Sequence, residues 1–508
     1  MAIGSRDVSF EVNGAAVVVA DDGASLLETL RDGLGLRSVK DGCSPQGQCG
    51  CCTVLVDGQP RVSCVTPSRR VAGRSVTTVE GIADAERWAR ALCATGGSQC
   101  GFCTPGIIAR LAGAQAKHGR LDEAAVRHAL RAHLCRCTGW QTIVEAAVSF
   151  PEAHDRDLLA AARRAEIEGG EPQAVTPAVA LGAGGFADDT APEDALVALL
   201  DAGGDWVVGE SLREVRRLAG KVQGRRTSVD SQPPLPVPDG DWVATLQTSW
   251  VDPGYLETDA SWCLPGGEPM STRGNGGAFG AKTASPVAGV ARELADRHGR
   301  AVRVLYSRED VVRRGAKRPP VSGGIRADGS GVMVVARTPG VTEAIRSVAP
   351  RLEVIEVDVA GPPTSAAIRG AGWVEALVLA SALGDGTEAT VSPAGAEAWA
   401  AVSADGIEAT VSCGAALDEV VLRSYCIGAA HMAFSWVTSE SLAVDDTGAV
   451  HDLTIRSLGI VRAADTPPIA VTIAPGSGDS VNGSDAVFAA VAAATWRARG
   501  RAPRWPTG

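Results

Sequence analysis

The sequence predicts an α+β protein of several domains, and three observations lead to this fold class. The chain has 508 residues, whereas a single hydrophobic core rarely grows beyond about 250–300 residues. Ten of the 13 cysteines lie before residue 138, so the chemistry of the first part differs from that of the rest. Segments of strand alternation, then of helical periodicity, then of mixed strand and helix pattern follow one another along the chain.

The composition is that of a globular protein and argues against some classes of partner. Hydrophobic residues make up 45% of the chain and charged residues 21%. The net charge of −11 disfavours nucleic acid and anionic membranes, which attract basic surfaces. Aromatic residues make up only 4% and leave few platforms for stacking bases.

The first residues, MAIGSRDVSFEVNG, lack the basic and apolar regions of a signal peptide. We expect no membrane span, because no stretch approaches the roughly 20 apolar residues that a span needs. We therefore expect a cytoplasmic protein, in which clustered cysteines are reduced and bind metal rather than form disulfides.

The first predicted domain, residues 1–80, is a small α+β unit. The stretch VSFEVNGAAVVVA alternates and contains Asn13-Gly14, which predicts a β-hairpin. A helix follows at SLLETLRDGLG, where Ser25 and Glu28 have the spacing of a capping box. A cysteine-rich loop and the strand TVLVDG complete the unit.

Residues 81–155 contain four short segments of helical periodicity and are predicted to form a helical bundle. The helix DRDLLAAARRAEIE and the linker GGEPQAVTPAVA follow, and we assign residues 156–178 to this connection. Residues 179–508 form a mixed α/β region. It contains the glycine loop RGNGGAFGAK (273–282) and a helix framed by Ser285 as N-cap, Pro286 in its first turn and Gly299 past its end.

The first set of cysteines has the spacing C-x5-C-x2-C-x11-C and comprises Cys43, Cys49, Cys52 and Cys64. Three thiolates from one tight loop and a fourth from a later segment can surround a binuclear iron cluster, with Gly47 and Gly50 bringing backbone N–H groups near the sulfides. Zinc is the alternative, but it usually takes two C-x2-C pairs and only one is present. We interpret Cys51 as a bystander.

The second set is Cys100-x2-Cys103 and, after 31 intervening residues, Cys135-x-Cys137. Two loops at helix ends can each deliver two thiolates to one site. A C-x-C pair is uncommon for zinc and unsuited to dithiol redox chemistry, where C-x-x-C is usual. This set favours an iron–sulfur cluster over zinc.

At this point the residues resemble a known family. The pattern CSPQGQCGCCTVLVDG…SC followed by QCGFCTPG…HLCRCTGW resembles the iron–sulfur part of the molybdenum hydroxylases, which include xanthine dehydrogenase, aldehyde oxidoreductase and aerobic carbon monoxide dehydrogenase. The resemblance covers residues 1–150. It implies a β-grasp domain like plant ferredoxin and a four-helix bundle, each with one [2Fe–2S] cluster. It also implies that Gln99 contacts a molybdopterin cofactor and that Cys137 lies near the edge of the pterin.

Two details of the first 150 residues depart from the family pattern. Five residues, where four are usual, separate Cys43 from Cys49, and His133 stands where an asparagine is usual. Neither removes a ligand.

The second half resembles a shortened molybdenum subunit of the same family. Matching blocks include GGFADD (184–189), GGAFGAK (276–282), VRVLYSREDVVRRGAKRPP (302–320), IRGAGWVEA (368–376) and the stretch SYCIGAAHMAFSWVTSESLAVDDTGAVHDLTIRSLGIVRAADTPPIAV. The resemblance implies cofactor contacts from Gly277, Phe279, Gly280 and Arg369. On composition alone, a glycine loop before a helix suits an anion or is simply a tight connection, and Arg369 can equally be a surface residue.

The most consequential departure concerns the family's catalytic glutamate. That residue follows a glycine just before a terminal helix, whereas here Gly483 is followed by Ser484. A serine hydroxyl has no accessible basic form near neutral pH, so the general base is absent or relocated and the catalytic residues remain unassigned. We expect Asp485, at the start of a helix, to point away from this position.

Two functions follow from the sequence. The first is an iron–sulfur oxidoreductase of the molybdenum hydroxylase type, which passes electrons from a molybdenum–pterin site through two [2Fe–2S] clusters to a flavoprotein or other acceptor. It would act on a small molecule and carry no FAD itself. The alternative is a non-catalytic electron-transfer or structural subunit that assembles with a true molybdenum subunit.

Overall fold

The structure, a computed structural model, describes residues 7–154, 156–221, 229–451 and 453–508. The first six residues of the predicted 1–80 domain lie outside these ranges. Asp155, the first residue of a predicted helix, and Asp452, within a block that resembles the family, also lie outside them.

The N-terminal unit is a five-stranded mixed sheet with the strand order β2-β1-β5-β3-β4. The hairpin predicted at Asn13-Gly14 is confirmed, since both residues have positive φ and join two antiparallel strands. The capping box of Ser25 and Glu28 is also present. The strands are β1 (Asp7–Val12), β2 (Ala15–Ala20), β3 (Thr53–Val56), β4 (Gln59–Val62) and β5 (Ser75–Thr77), with helix α1 (Leu26–Glu28) continued by a π-turn over Thr29–Gly33.

Four helices follow the sheet, as predicted. They are α2 (Ala85–Thr95), α3 (Thr104–His118), α4 (Glu123–Ala129) and α5 (Gln141–Ser149). Helix α3 begins immediately after Cys103, and α5 begins four residues after Cys137, so both ends of the second cysteine set lie at helix N-termini. The connection contains α6 (Leu158–Gly169), α7 (Pro177–Ala180) and α8 (Ala187–Thr190).

Three four-stranded sheets make up most of the remaining chain. The first, β7-β6-β10-β9, consists of β6 (Leu196–Leu200), β7 (Trp206–Gly209), β9 (Ala260–Cys263) and β10 (Val302–Leu305). The second, β13-β12-β11-β8, consists of β8 (Ala244–Gln247), β11 (Val321–Ile325), β12 (Gly331–Ala336) and β13 (Leu352–Val357). The third, β14-β15-β16-β17, consists of β14 (Thr390–Val391), β15 (Glu397–Ser403), β16 (Gly406–Ser412) and β17 (Ile469–Ile473).

Helices cover these sheets and complete the mixed α/β architecture. They are α9 (Leu212–Ala219), α10 (Val287–His298), α11 (Arg308–Arg314), α12 (Val341–Val348), α13 (Trp373–Ala380), α14 (Glu419–Thr438) and α15 (Ser484–Ala498). Helix α14 is long and apolar enough, by length and composition only, to cross a membrane. This differs from the expectation that no stretch of the chain has the length and apolar character of a membrane span. However, 83% of its apolar window is buried in the fold, which is typical of a core helix.

The predicted N-cap of α10 is wrong. Gly299 ends the helix in a left-handed conformation as expected, but the cap residue is Pro286. The Ser285 hydroxyl donates a hydrogen bond to the carboxylate of Asp259 instead. A long-range acceptor therefore competes successfully with the local capping bond.

Buried ion pairs join the N-terminal units to the rest of the chain. Arg31 contacts Asp188 and Asp189 at 2.7 Å each, and Arg136, between two cysteines of the second set, contacts Glu440 at 2.6 Å. The side chains of Arg31, Arg136 and Glu440 are almost completely buried, so each of these charges depends on its partner. The C-terminal region is thereby held against both cysteine-bearing units.

Candidate metal centres

The first cysteine set is brought together by the loop before β3 and the turn after β4. The Cys43 thiol contacts those of Cys49 and Cys64, and these contacts lower the pKa of Cys43 well below its usual range. The Cys64 thiol also contacts that of Cys52. All four cysteines are buried. The four predicted residues therefore share one site.

The extra thiol of Cys51 lies beside that of Cys49. Both sulfurs lie 3.1 Å from the position that a Cβ on Gly42 would occupy. The Cys51 backbone also packs against α3, because its carbonyl oxygen lies 2.7 Å from the Cβ position of Gly106. Cys51 therefore lies on the side of the first set that faces the helical unit.

The second cysteine set forms two pairs. The Cys137 thiol lies 3.6 Å from that of Cys100, while the thiols of Cys103 and Cys135 contact each other. The contact with Cys103 is the main reason that the pKa of Cys135 falls to about 6, in spite of burial. All four line one small cavity. Across the described residues, no three His, Cys, Asp or Glu side chains converge on one single-ion position.

The paired arrangement distinguishes between the two metals considered. Structural zinc is surrounded by four ligands at one point. A [2Fe–2S] cluster has two irons and takes its four cysteine ligands as two pairs. The thiols of the second set form two close pairs around one cavity. This arrangement matches the ligands of a [2Fe–2S] cluster.

The glycine loop packs directly against the second cysteine set. Gly277 has φ +89°, and a Cβ there would lie 2.9 Å from Cys100 Sγ and 3.5 Å from Cys137 Sγ. Asn275 fixes the approach, because its side chain donates to the Cys100 carbonyl at 3.3 Å and accepts from the Ala174 amide at 2.8 Å. Only glycine fits at position 277 without displacing a cysteine.

Gln99 is buried beside the second cysteine set and has one unsatisfied atom. Its side-chain nitrogen donates to the Cys137 carbonyl at 3.0 Å and to Ser424 Oγ at 2.9 Å. Its side-chain oxygen is buried and has no hydrogen-bond partner among the described residues. Such an orphaned acceptor normally indicates an unseen donor.

Phe279, Gly280 and Arg369 form a separate group. The Arg369 guanidinium lies 4.5 Å from the centre of the Phe279 ring, and Phe279 has φ +48°. Gly280 approaches the Ala367 carbonyl so closely that a Cβ would lie 1.8 Å from its oxygen. All three border an open cavity that also includes Glu168 and Asp485.

Arg369 is buried and binds both residues at the start of α15. It donates to Ser484 Oγ at 2.9 Å and forms an ion pair with Asp485 at 2.8 Å. The expectation that Asp485 points away is wrong, because the broad guanidinium reaches both residues at once. Burial raises the pKa of Asp485 although Arg369 opposes this effect.

The sequence pattern does not predict Glu168, which holds the N-terminus of α15 from the distant helix α6. Its carboxylate accepts from the amides of Gly483 at 3.0 Å and Ser484 at 2.8 Å and pairs with Arg164. Both side chains of the Arg164–Glu168 pair are fully buried. The one local signal is their i,i+4 spacing, which by itself indicates only an ordinary helix pair.

Comparison with known proteins agrees with this geometry. Residues 78–148 match the family described as "[2Fe-2S] binding domain". The chain is 34% identical over 147 residues to the nicotinate dehydrogenase small FeS subunit of Eubacterium barkeri. This alignment covers 28% of this chain and 92% of that protein. The chain is 43% identical over 129 residues to the xanthine dehydrogenase iron-sulfur-binding subunit of Escherichia coli O157:H7. This alignment covers 24% of this chain and 79% of that protein.

The chain belongs to the molybdenum hydroxylase family. With larger relatives the alignment is partial: it is 41% identical over 142 residues to the aldehyde oxidoreductase of Megalodesulfovibrio gigas, covering 27% of this chain but 16% of that protein. The solved structure of aldehyde oxidoreductase from Desulfovibrio gigas superimposes with a TM-score of 0.74 and 15% identity, covering 99% of both chains. The fold of this aldehyde oxidoreductase thus extends through the C-terminal half of the chain.

Proposed function

We propose that this chain transfers electrons through two [2Fe–2S] clusters as the iron–sulfur component of a molybdenum hydroxylase-type oxidoreductase. The observation that carries the proposal is the grouping of eight buried cysteines into two sets of four. Cys43, Cys49, Cys52 and Cys64 would hold one cluster, and Cys100, Cys103, Cys135 and Cys137 the other. When bound, the clusters supply one-electron redox chemistry.

The surroundings of both sets support this role. The cysteines are buried, which excludes water and oxidants from the thiolates. The Gln46 amide donates to Cys43 Sγ at 3.1 Å, and Thr138 Oγ1 lies 3.2 Å from Cys135 Sγ. Hydrogen bonds to ligating sulfur stabilise its negative charge and adjust the reduction potential. The acceptor we propose is a flavoprotein or another redox subunit.

Hydroxylation by this chain alone has less support. Ser484 stands in place of the family's glutamate, and its hydroxyl is held by Arg369. Glu168 is engaged by Arg164 and two backbone amides, so its carboxylate is not free to accept a proton from substrate. The chain's own carboxylates here stabilise the helix α15 rather than supply a general base.

Binding of a molybdopterin cofactor is a second candidate, favoured by one observation. Gln99, whose side-chain oxygen is orphaned, donates through its nitrogen to the carbonyl of Cys137, and the family resemblance places the pterin near Cys137. A pterin N–H group would satisfy the orphaned oxygen. Gly277, Phe279, Gly280 and Arg369 are the further contacts we propose, and the cofactor would supply two-electron oxidation of a small molecule.

Metal and pterin analysis of anaerobically purified protein tests both proposals. We expect about four irons per chain, from two binuclear clusters. Cys137→Ser should remove about half of the iron, whereas Cys263→Ser, at a buried cysteine outside both sets, should retain all of it. Zinc in place of iron would contradict the electron-transfer role. Molybdenum and pterin in the same sample would establish the second candidate.

A further inference from the structure

A buried lysine–glutamate pair shares a cavity with the second cysteine set. Lys282, at the end of the glycine loop, and Glu257 are 2% and 7% exposed, and Lys282 Nζ lies 2.6 Å from Glu257 Oε2. Both side chains line the cavity that the four thiols of the second set also line. Its volume of about 10 Å³ has room for roughly one water molecule.

The two members of the pair are held differently. Lys282 also donates to the carbonyls of Thr272 at 3.1 Å and Thr258 at 3.4 Å, so it has acceptors besides Glu257. Glu257 Oε1 is buried without a hydrogen-bond partner among the described residues. Burial raises the pKa of Glu257 to about 7, although Lys282 opposes the shift. Removal of the carboxylate would therefore leave a bound ammonium in place.

Charges in such a cavity act strongly on one another. Water is nearly excluded, so the effective dielectric constant is far below that of the solvent. Reduction of a cluster adds one negative charge at the thiolates. A neighbouring carboxylate disfavours the added negative charge, and a neighbouring ammonium stabilises it. Nearby charges and hydrogen bonds are known determinants of a cluster's reduction potential.

We propose that the charges of Lys282 and Glu257 set the reduction potential of a cluster bound at the second cysteine set. Glu257 lowers the potential and Lys282 raises it. The inference rests on the proposed function, because it requires a cluster on Cys100, Cys103, Cys135 and Cys137. In the reductive step each dithionite ion is oxidised to two sulfite ions and releases two electrons, of which one enters this cluster and the other reduces a second cluster, and no bond forms or breaks at the pair.

The test is a redox titration of the full chain, in which the signals of the two clusters are followed by electron paramagnetic resonance. Glu257→Gln should raise the potential of the second cluster and leave that of the first unchanged. The double variant Glu257→Gln with Lys282→Gln, which restores neutrality, should return the potential toward the wild-type value. Asp252→Asn is the matched control, because Asp252 pairs with buried Lys317 at 3.1 Å but does not line this cavity.

The possible outcomes distinguish failure of the proposed electron-transfer function from failure of the inference about Lys282 and Glu257. Absence of the second cluster's signal in the wild type contradicts the proposed function, whereas a signal with the same potential in Glu257→Gln and wild type overturns only the present inference. Equal shifts in both clusters, or in the Asp252→Asn control, also overturn it. If the Glu257→Gln protein lacks the second cluster but the double variant contains it, the result supports the proposal that the pair acts through its charges. Loss in both variants indicates structural support alone and overturns it.

Discussion

At the scale of single residues, Gly277 is a position where the C-terminal half packs directly against the thiols of the second cysteine set. A methyl group there would lie 2.9 Å from Cys100 Sγ, and the φ of +89° disfavours any other residue. We expect Gly277→Ala to lower the iron content toward half. Gly299→Ala is the control, because Gly299 has φ +62° but open space around its Cβ position. Full iron retention in Gly277→Ala would contradict this close packing of the glycine loop on the cysteines.

The five cysteines of the first loop and its partner turn also give a residue-level prediction. Cys52 contacts Cys64 within the first set, whereas Cys51 is next to Cys49 on the side facing α3. Cys52→Ser should therefore abolish the signal of the first cluster, and Cys51→Ser should leave it in place. Iron content and visible absorption are the measurements. The reverse result would give Cys51 the ligand position that is assigned here to Cys52.

At the scale of elements, α6 is attached to the start of α15 by the buried Arg164–Glu168 pair. Glu168→Gln leaves Arg164 buried without its counter-charge, which typically costs about 3–5 kcal/mol of unfolding free energy. The exposed pair Glu293–Arg297 on α10 has the same i,i+4 spacing, so Glu293→Gln should change stability by less than about 0.5 kcal/mol. Denaturant unfolding measures both. Equal effects would show that the α6–α15 link is not a stabilising contact.

The elements also show how far sequence reasoning reaches. The Asn13-Gly14 hairpin and the Ser25–Glu28 capping box were predictable because their determinants lie within four residues. Ser285 illustrates the limit, since its hydroxyl bonds to Asp259 and not to its own helix. The same holds at the candidate sites: cysteine spacing predicts the two sets, but Glu168 reaches α15 across more than 300 residues, and Lys282 and Glu257 meet only through tertiary folding.

At the scale of the whole molecule, the cluster of Arg31, Asp188 and Arg303 joins the turn after α1 in the N-terminal unit to the C-terminal half. Burial alone would raise the pKa of Asp188, but the guanidinium groups of Arg303 and Arg31 outweigh it and hold this pKa well below its usual range. Because the folded-state pKa is depressed, the stabilisation is present above the unfolded pKa, about 3.9, and is lost as the pH falls through the folded value.

This cluster predicts an acid-dependent weakening of the contact between the two parts. The melting temperature should fall as the pH is lowered below about 5, where the unfolded chain begins to take up protons. Asp188→Asn should be less stable than wild type at pH 7 and should show a flatter decline. Thermal melts between pH 7 and 3 measure both slopes. An unchanged slope in Asp188→Asn would assign the acid sensitivity to other carboxylates.

Two separate binuclear centres in one chain are the central feature of the proposed function. The most direct test is quantitative electron paramagnetic resonance of the dithionite-reduced full-length protein. We predict two distinguishable signals of reduced [2Fe–2S] clusters, with about one spin each per chain. A single signal that persists in Cys137→Ser, or a protein without any such signal that contains zinc, would contradict the assignment of the eight cysteines to two iron–sulfur clusters.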